Sequence, residues 1–506
     1  MRIQKQKFFF ILRFVLLTLT LALFSNNSLF LTKAYGSTIS VIDSGVDVNT
    51  NIIRNHLWIN KLEIPNNFVD DDHNGHIDDI FGWNFVDDNN ILLVPNYPVD
   101  FTSEHKLFLE IEAKIAYATA TPNEIFWIKK KLADKKFMKE ITFLGTYIHG
   151  THVSGIIVNE SNENRVQIIK IVSTPKPPVD NYNINVRIED LPIPIVIQKD
   201  IKDAIAEGLT NENLVKFVLA RLVIRELAVV QKIIKYIDTT GVQVANASFG
   251  TGIVQGEKIV TTFFRMVLKR FPTKKELLSV RNHFLYQVLA NSTTLYGSAN
   301  NTLFVFAAGN DGSNNDEYYM APANIRLENT ISVGAWRGPV PATRNSGELA
   351  SFSNYGNKTV DVAAPGVGIV SVIPGNKSAT LSGTSQAAPY VSNIAGEILN
   401  INSRLSPANV KEIIIKTVDY KATLKGKIAS SGVVNKSRAL LAAKYSNGYS
   451  LSQAIDKAKK EIKSFSSADT QMRPITPSNT SRIYKELEYV IPLPSEFDNF
   501  IRSNHE

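Results

Sequence analysis

Thr38-Ile39-Ser40-Val41-Ile42 is followed at once by Asp43-Ser44-Gly45. The run is short, apolar and rich in β-branched residues, so it reads as a buried strand; a carboxylate and a glycine at its C-terminal end mark the edge where α/β sheets keep their clefts. Similar strand-like runs recur at Val166 to Val172, Val242 to Ala247, Leu303 to Ala308 and Thr330 to Ala335. Helical periodicity is clear at Glu226 to Ile237 and from Ser385 to Asn400. Strands alternating with helices predict an α/β fold on a mainly parallel sheet.

Three long stretches interrupt that alternation. Residues 103–140 carry Leu107, Ile111 and Ile115, then Ile125, Ile128 and Leu132, on either side of a break at Ala120-Thr121-Pro122-Asn123, which predicts a helical hairpin. Residues 174–225 open with the loop Thr174-Pro175-Lys176-Pro177-Pro178 and turn helical near Asp200, and residues 256–291 read as mainly helical with Pro272 as a breaker. The catalytic-sized body is expected over 37–445, followed by a tail, 446–506, with a helix at Leu451 to Ile462 and then prolines at 474, 477, 492 and 494.

The start of the chain has its own pattern. Arg2, Lys5 and Lys7 precede an apolar stretch from Phe8 to Phe24, and Ser25-Asn26-Asn27-Ser28 follows, with small residues at Ala34 and Gly36. This is the order of a secretory signal over 1–36, which predicts a secreted, periplasmic or cell-envelope protein; the alternative is an uncleaved anchor, the one expected membrane tether. Hydrophobic residues at 44% and charged residues at 20% exclude a disordered or fibrous chain, and the absence of cysteine excludes disulfides, Cys-ligated metals and a thiol nucleophile. The formal charge of +8 comes from scattered cations, so no nucleic-acid partner is expected.

A nucleophile is suggested by Ser382-Gly383-Thr384-Ser385-Gln386-Ala387-Ala388-Pro389, where Ser385 stands at a helix start. There, unpaired N–H groups and the positive end of the helix dipole can stabilise an oxyanion, although a serine in this place also reads as a cap. His149 in His149-Gly150-Thr151-His152-Val153-Ser154-Gly155 supplies a base, and Asp43 a carboxylate to orient it. Asn310, in Phe306-Ala307-Ala308-Gly309-Asn310-Asp311-Gly312, ends a strand in a turn from which its amide can donate to the oxyanion. His149 and His152 would also suit a metal by their spacing, but no carboxylate or further histidine accompanies them in the motif. An esterase of the α/β-hydrolase type would need a Gly-x-Ser-x-Gly elbow and the order Ser, Asp, His, both missing.

With Asp, His and Ser in that order, the chain resembles the subtilisin-like serine peptidases, the subtilase family. Further matching segments are Ser248-Phe249-Gly250, similar to the family's substrate-aligning strand end, and the runs Leu349 to Gly356 and Val360 to Gly366. The resemblance implies a doubly wound, mainly parallel sheet of the subtilisin type with helical inserts. It also implies a serine endopeptidase that cleaves polypeptides through an acyl-enzyme, the substrate backbone pairing with Ser248 and Gly250 beside Phe249. Asp43 and His149 lie 106 residues apart and Ser248 and Asn310 lie 62 apart, wider than in compact members, and the seven residues from Gly36 to Asp43 leave no room for a folding propeptide. A silent scaffold that binds a partner through its inserts is the competing reading.

The run Asp70-Asp71-Asp72-His73-Asn74-Gly75-His76-Ile77-Asp78-Asp79 has oxygen-bearing side chains at alternate positions and glycine at the sixth. It predicts a structural Ca²⁺ loop with Asp70, Asp72 and Asn74 as side-chain ligands, the His76 carbonyl, and Asp78 or Asp79 after it; Phe81 stands where such loops carry a bidentate glutamate. The lysines from Lys129 to Lys139 read as the solvated face of a helix.

Overall fold

The computed structural model describes residues 36–94, 100–173, 195–338 and 347–463. The expected signal segment, the loop at 174–178 and the proline-containing end of the tail lie outside the described residues. Strands β1 (Thr38–Asp43), β2 (Gly82–Asn84), β3 (Arg165–Lys170), β4 (Val244–Ala247), β5 (Leu303–Ala307), β6 (Thr330–Arg337), β7 (Glu348–Leu349), β8 (Val362–Pro365), β11 (Asp419–Tyr420) and β12 (Gly432–Val433) form a ten-stranded sheet; β9 (Ile369–Ile373) and β10 (Lys377–Leu381) form a separate antiparallel hairpin. The path across the large sheet is β11-β12-β8-β6-β5-β4-β1-β3-β2, with β7 on β6.

Pairing is parallel from β2 to β12 along that path, and antiparallel only at β11 and β7. Both faces of β5 and β6 are buried along their whole length, as parallel strands covered on two sides require. That is why β5, Leu-Phe-Val-Phe-Ala, is a continuous apolar run rather than an alternating one. From β1 the chain first builds outward through β2 and β3, then crosses to β4 on the other side of β1. Strand order therefore reverses between β1 and β4. Outside the carboxyl ends of strands at such a reversal a crevice opens, so Asp43 and Ser248, one residue beyond each paired end, flank it.

The helices are α1 (Asn51–Arg54), α2 (Ser103–Ala116), α3 (Pro122–Ala133), α4 (Lys135–Val158), α5 (Ile195–Ala206), α6 (Asn211–Thr239), α7 (Ile253–Leu268), α8 (Lys274–Ser298), α9 (Thr384–Ile401), α10 (Pro407–Lys416), α11 (Lys436–Tyr445) and α12 (Leu451–Glu461). The first insert contains the hairpin α2–α3, each helix opened by a threonine capping box at Thr102 and Thr121. Its second helix stops at Ala133 because Asp134 turns extended and accepts hydrogen bonds from the Lys136 and Phe137 N–H groups, both at 3.1 Å, so residues 135–140 start the next helix. That helix, α4, runs without a break for 24 residues and carries His149 in its interior. Between α7 and α8, Lys269 takes a left-handed φ of 55° ahead of Pro272, and Thr273 caps the new helix. Among the described residues no helix is long and apolar enough to cross a membrane.

Candidate active site

Asp43 ends β1, and His149 reaches it from α4: the imidazole Nδ1 donates to Asp43 Oδ1 at 2.7 Å, and the Ser44 N–H donates to the same oxygen at 2.7 Å. Close approach of helix and strand depends on Gly150, where a Cβ would collide with the Gly45 carbonyl, and on Gly45 itself, whose φ of +107° suits glycine and whose Cβ would strike the Leu92 carbonyl. With Nδ1–H held by the carboxylate, the tautomer leaves Nε2 as the basic nitrogen. Asp43 and His149 are 1% and 3% exposed.

Ser385 occupies the second position of α9, preceded by Gly383. Its hydroxyl donates to the Ser248 carbonyl at 3.4 Å, and the Ser248 hydroxyl donates to the Ser385 carbonyl at 3.0 Å. The second bond has a sequence cause. Pro389, inside the helix, lacks the N–H that would otherwise bond the carbonyl four residues earlier, so the carbonyl of Ser385 is open to a side chain. A buried chain supports it from below, with the Ser392 hydroxyl donating to Asn246 Oδ1 and Asn246 Nδ2 donating to the Ser248 hydroxyl, each at 3.0 Å. Because Ser248 follows β4 and β4 pairs with β1 up to Ala247 and Ile42, Ser385 is held against the neighbour of Asp43. The Asp43–His149 pair and Ser385 are thus held at the ends of the two neighbouring strands on either side of the strand-order reversal.

Asn310 follows β5 in the turn begun by Gly309, whose φ is +110°. Its Oδ1 accepts from the Thr384 N–H at 2.9 Å and the Thr384 hydroxyl at 2.8 Å, while the Thr384 hydroxyl accepts from the Gly309 N–H at 3.2 Å. With Oδ1 so occupied, the amide Nδ2 is the group left to donate, and it lies 3.4 Å from the place a Cβ on Gly383 would take, beside the start of α9. Thr384, which the sequence reading passed over, is thus the residue that aims Asn310; its only signal was its place directly before Ser385. Phe249 is 3% exposed, and beyond Gly250 the strip is tied down by Thr251, which exchanges backbone hydrogen bonds with Ala321. Asp311, next to Asn310, is pushed up to about 6 by burial, against the opposing pull of Lys258.

His152, the other histidine of the motif, faces away from this chemistry. Its Nε2 lies 3.2 Å from both the Ile369 and Ala379 carbonyls, and burial, with His149 second, holds it down to about 3, so it is neutral and pins the β9–β10 hairpin to α4. The hairpin α2–α3 is anchored nearby: the Tyr117 hydroxyl donates to the Val367 carbonyl at 3.0 Å and Arg337 donates to the Ala116 carbonyl at 2.9 Å. A groove of about 810 Å³ runs beside α4, lined by Leu144, Tyr147 and Ile148, by Phe101 ahead of α2, and by Asp47 and Leu92.

In the acidic loop the structure brings Glu63, Asp72 and Asp79 together, with one oxygen from each lying within 4.8 Å of the others. Asp70 instead accepts from the Asn74 and Gly75 N–H groups, and Asp78 from the Asn67 and Phe68 N–H groups, so both brace turns. Asn74 Nδ2 donates to Asp72 and to Asp79, and the His76 ring packs on Trp83, Phe85 and Tyr236. Asp79 is raised to about 6, chiefly by burial and in spite of hydrogen bonds from Tyr236 at 2.5 Å, Asn60 and Asn74. Glu63 was not foreseen. It sits seven residues before Asp70, outside the motif, and only the fold returns it.

Residues 34–448 match the subtilase family, peptidase S8. Subtilisin-like protease 1 of Plasmodium falciparum (isolate 3D7) is 26% identical over 425 residues, 84% of this chain and 46% of that protein. Subtilisin-like protease 2 of Pseudogymnoascus destructans is 38% identical over 138 residues, 27% of this chain and 32% of the relative. The thermophilic serine proteinase of Bacillus sp. (strain AK1) is 40% identical over 134 residues, 26% of this chain and 30% of the relative. The matches span less than half the length of these relatives. Among solved structures, a cold adapted subtilisin-like serine proteinase is similar with a TM-score of 0.37 and 16% identity, covering 79% of this chain and 87% of that one. The family match spans the strand-order reversal and every segment that meets there, and the chain belongs to the subtilase family of serine-type peptidases.

Proposed function

We propose that this chain is a secreted or cell-envelope endopeptidase that hydrolyses polypeptides through an acyl-enzyme. His149 Nε2 takes the proton from the Ser385 hydroxyl, and the oxygen attacks the scissile carbonyl; Asp43 holds the imidazole tautomer and stabilises the imidazolium. The Ser385 N–H and Asn310 Nδ2 receive the oxyanion, and the imidazolium returns its proton to the leaving amine. The 2.7 Å contact of His149 Nδ1 with Asp43, made where Ser385 is also held, carries this reading. Attack requires the Ser385 hydroxyl to turn from the Ser248 carbonyl toward His149, a tightening that bound substrate ordinarily brings about. The basic, apolar, polar order of residues 1–36 supports export.

The test is labelling with a fluorophosphonate probe together with hydrolysis of a denatured protein. Wild type should label and cleave, and Ser385→Ala should do neither. A wild type that neither labels nor cleaves would favour the silent scaffold.

We also propose a structural Ca²⁺ in the acidic loop, a hard cation suited to an all-oxygen donor set. Glu63, Asp72 and Asp79 would hold it, with Asn74 contributing its amide oxygen after a flip of the side chain. The crowding of three carboxylates around one point supports this, since a cation would offset their repulsion and the burial of Asp79.

A further inference from the structure

The corner where α3 meets α4 has a chemistry that the peptidase reading does not use. Phe126, Lys129, Lys130 and Ala133 recur at helical spacing along one side of α3, and all are exposed; Phe126 is 62% exposed. The opposite side, led by Ile128, is buried, so the orientation of the stripe is fixed by the core. Lys135, Lys136 and Lys139 follow at the start of α4. Lys130 lies over the Phe126 ring at 5.2 Å and Lys139 over the Phe143 ring at 5.8 Å. Acidic groups are few here. Asp134 is spent on capping α4, Glu140 faces Lys136 at 3.9 Å, and Lys131 is taken by Glu104 at 2.6 Å. Among the described residues, Lys129, Lys130 and Lys135 have no carboxylate within salt-bridge reach.

Beyond its contact with Lys130, a largely exposed ring gains little in water, whereas an anionic bilayer has a use for the ring and for the surrounding lysines together. Lysines near its surface are drawn by its negative potential, and a ring at their centre enters the boundary between headgroups and acyl chains. We propose that this corner docks the protein on an anionic phospholipid bilayer, with Phe126 inserted and Lys129, Lys130, Lys135, Lys136 and Lys139 against the headgroups. The docking is independent of the peptidase reading but has a geometric consequence for it. Lys135 and His149 belong to one unbroken helix, fourteen residues apart, so the docked corner is about 20 Å from the catalytic base along a rigid rod. Cleavage would then occur at a set height above the lipid.

The experiment is co-sedimentation of the full chain with vesicles of phosphatidylcholine alone or with 30% phosphatidylglycerol, at low and high salt. Variants are compared with wild type so that the apolar N-terminal segment is constant throughout, and an unchanged melting curve by circular dichroism shows that each is folded. Lys129→Gln, Lys130→Gln and Lys135→Gln should each lower binding to the anionic vesicles roughly five-fold, with neutral vesicles unaffected, in keeping with ~1 kcal/mol per lysine near such a surface. Phe126→Ser should weaken the binding that persists at high salt. Unchanged partitioning of the triple lysine variant would overturn the proposal. So would capture by soluble heparin with the same dependence on the lysines and none on Phe126, which would assign the corner to a polyanionic chain.

Discussion

Ser385 and His149 handle one proton between them while Asp43 orients the imidazole, so removing either of the first two should cost nearly as much as removing both. Ser385→Ala and His149→Ala are each expected to lower kcat by ~10⁶, and the double variant by little more, a magnitude taken over from subtilisin, a member of the same family. Asn310→Ala should cost ~10²–10³, again the size known for subtilisin. Measuring kcat and KM separately checks both, and a loss confined to KM would contradict the oxyanion role. The residue after the nucleophile is Gln386, which cannot form a sulfoxide, and Met320, which lies beside Gly252 and Gly309, is 2% exposed. Wild-type activity should therefore persist in dilute peroxide while Gln386→Met decays; rapid decay of both would implicate Met320. At this scale the motifs singled out Asp43, His149, Asn310 and Ser385 by residue type and place, and the structure pairs His149 with Asp43 and Asn310 with the residue before Ser385. It was opaque where a role depends on partners brought from afar, as with Glu63 at the acidic loop or Asn246 under Ser248.

Elements differ in how openly they were written. The runs at β1, β3, β4, β5 and β6 announced themselves because parallel strands buried on both faces are mainly apolar and β-branched. Strands of two to four residues, such as β2, β8 and β12, are too short for any periodicity. The hairpin α2–α3 was visible in its spacing, but the continuation of α4 through His149 was hidden, since Gly150 and Gly155 look like breaks and instead let the helix lie close against the Gly45 carbonyl and against Ser371 and Val372. The acidic loop offers the test at this scale. A chelator should lower the melting temperature of wild type, and Asp79→Asn should abolish the response to Ca²⁺, because a ligand that binds only the native state stabilises it by mass action. Identical melting with excess Ca²⁺ and with chelator would remove the ion. Gly45→Ala should destabilise by ~1–3 kcal/mol in urea unfolding, through strain at its positive φ, and should loosen Asp43 with it.

The molecule as a whole carries buried carboxyls whose ionisation folding opposes. Burial raises Glu226 to about 7, with Arg225 pulling the other way, and raises Asp311 to about 6. Their folded values lie above the unfolded ones, so the native state binds more protons in between, and stability should rise as pH falls from about 7 toward 5. Asp311→Asn should flatten this slope by ~1 kcal/mol, allowing for its partial exposure to water, as read from urea midpoints at pH 7.5 and 5.5.

Helix ends open and close constantly, and a base in a first turn would be released whenever that turn frayed. His149 is fourteen residues inside α4, under the sheet's cover, so its amide hydrogen should be among the slowest to exchange with deuterated solvent. Loss of the site and loss of the fold then become one kinetic event, and heat-inactivation half-lives should follow the rate of global opening.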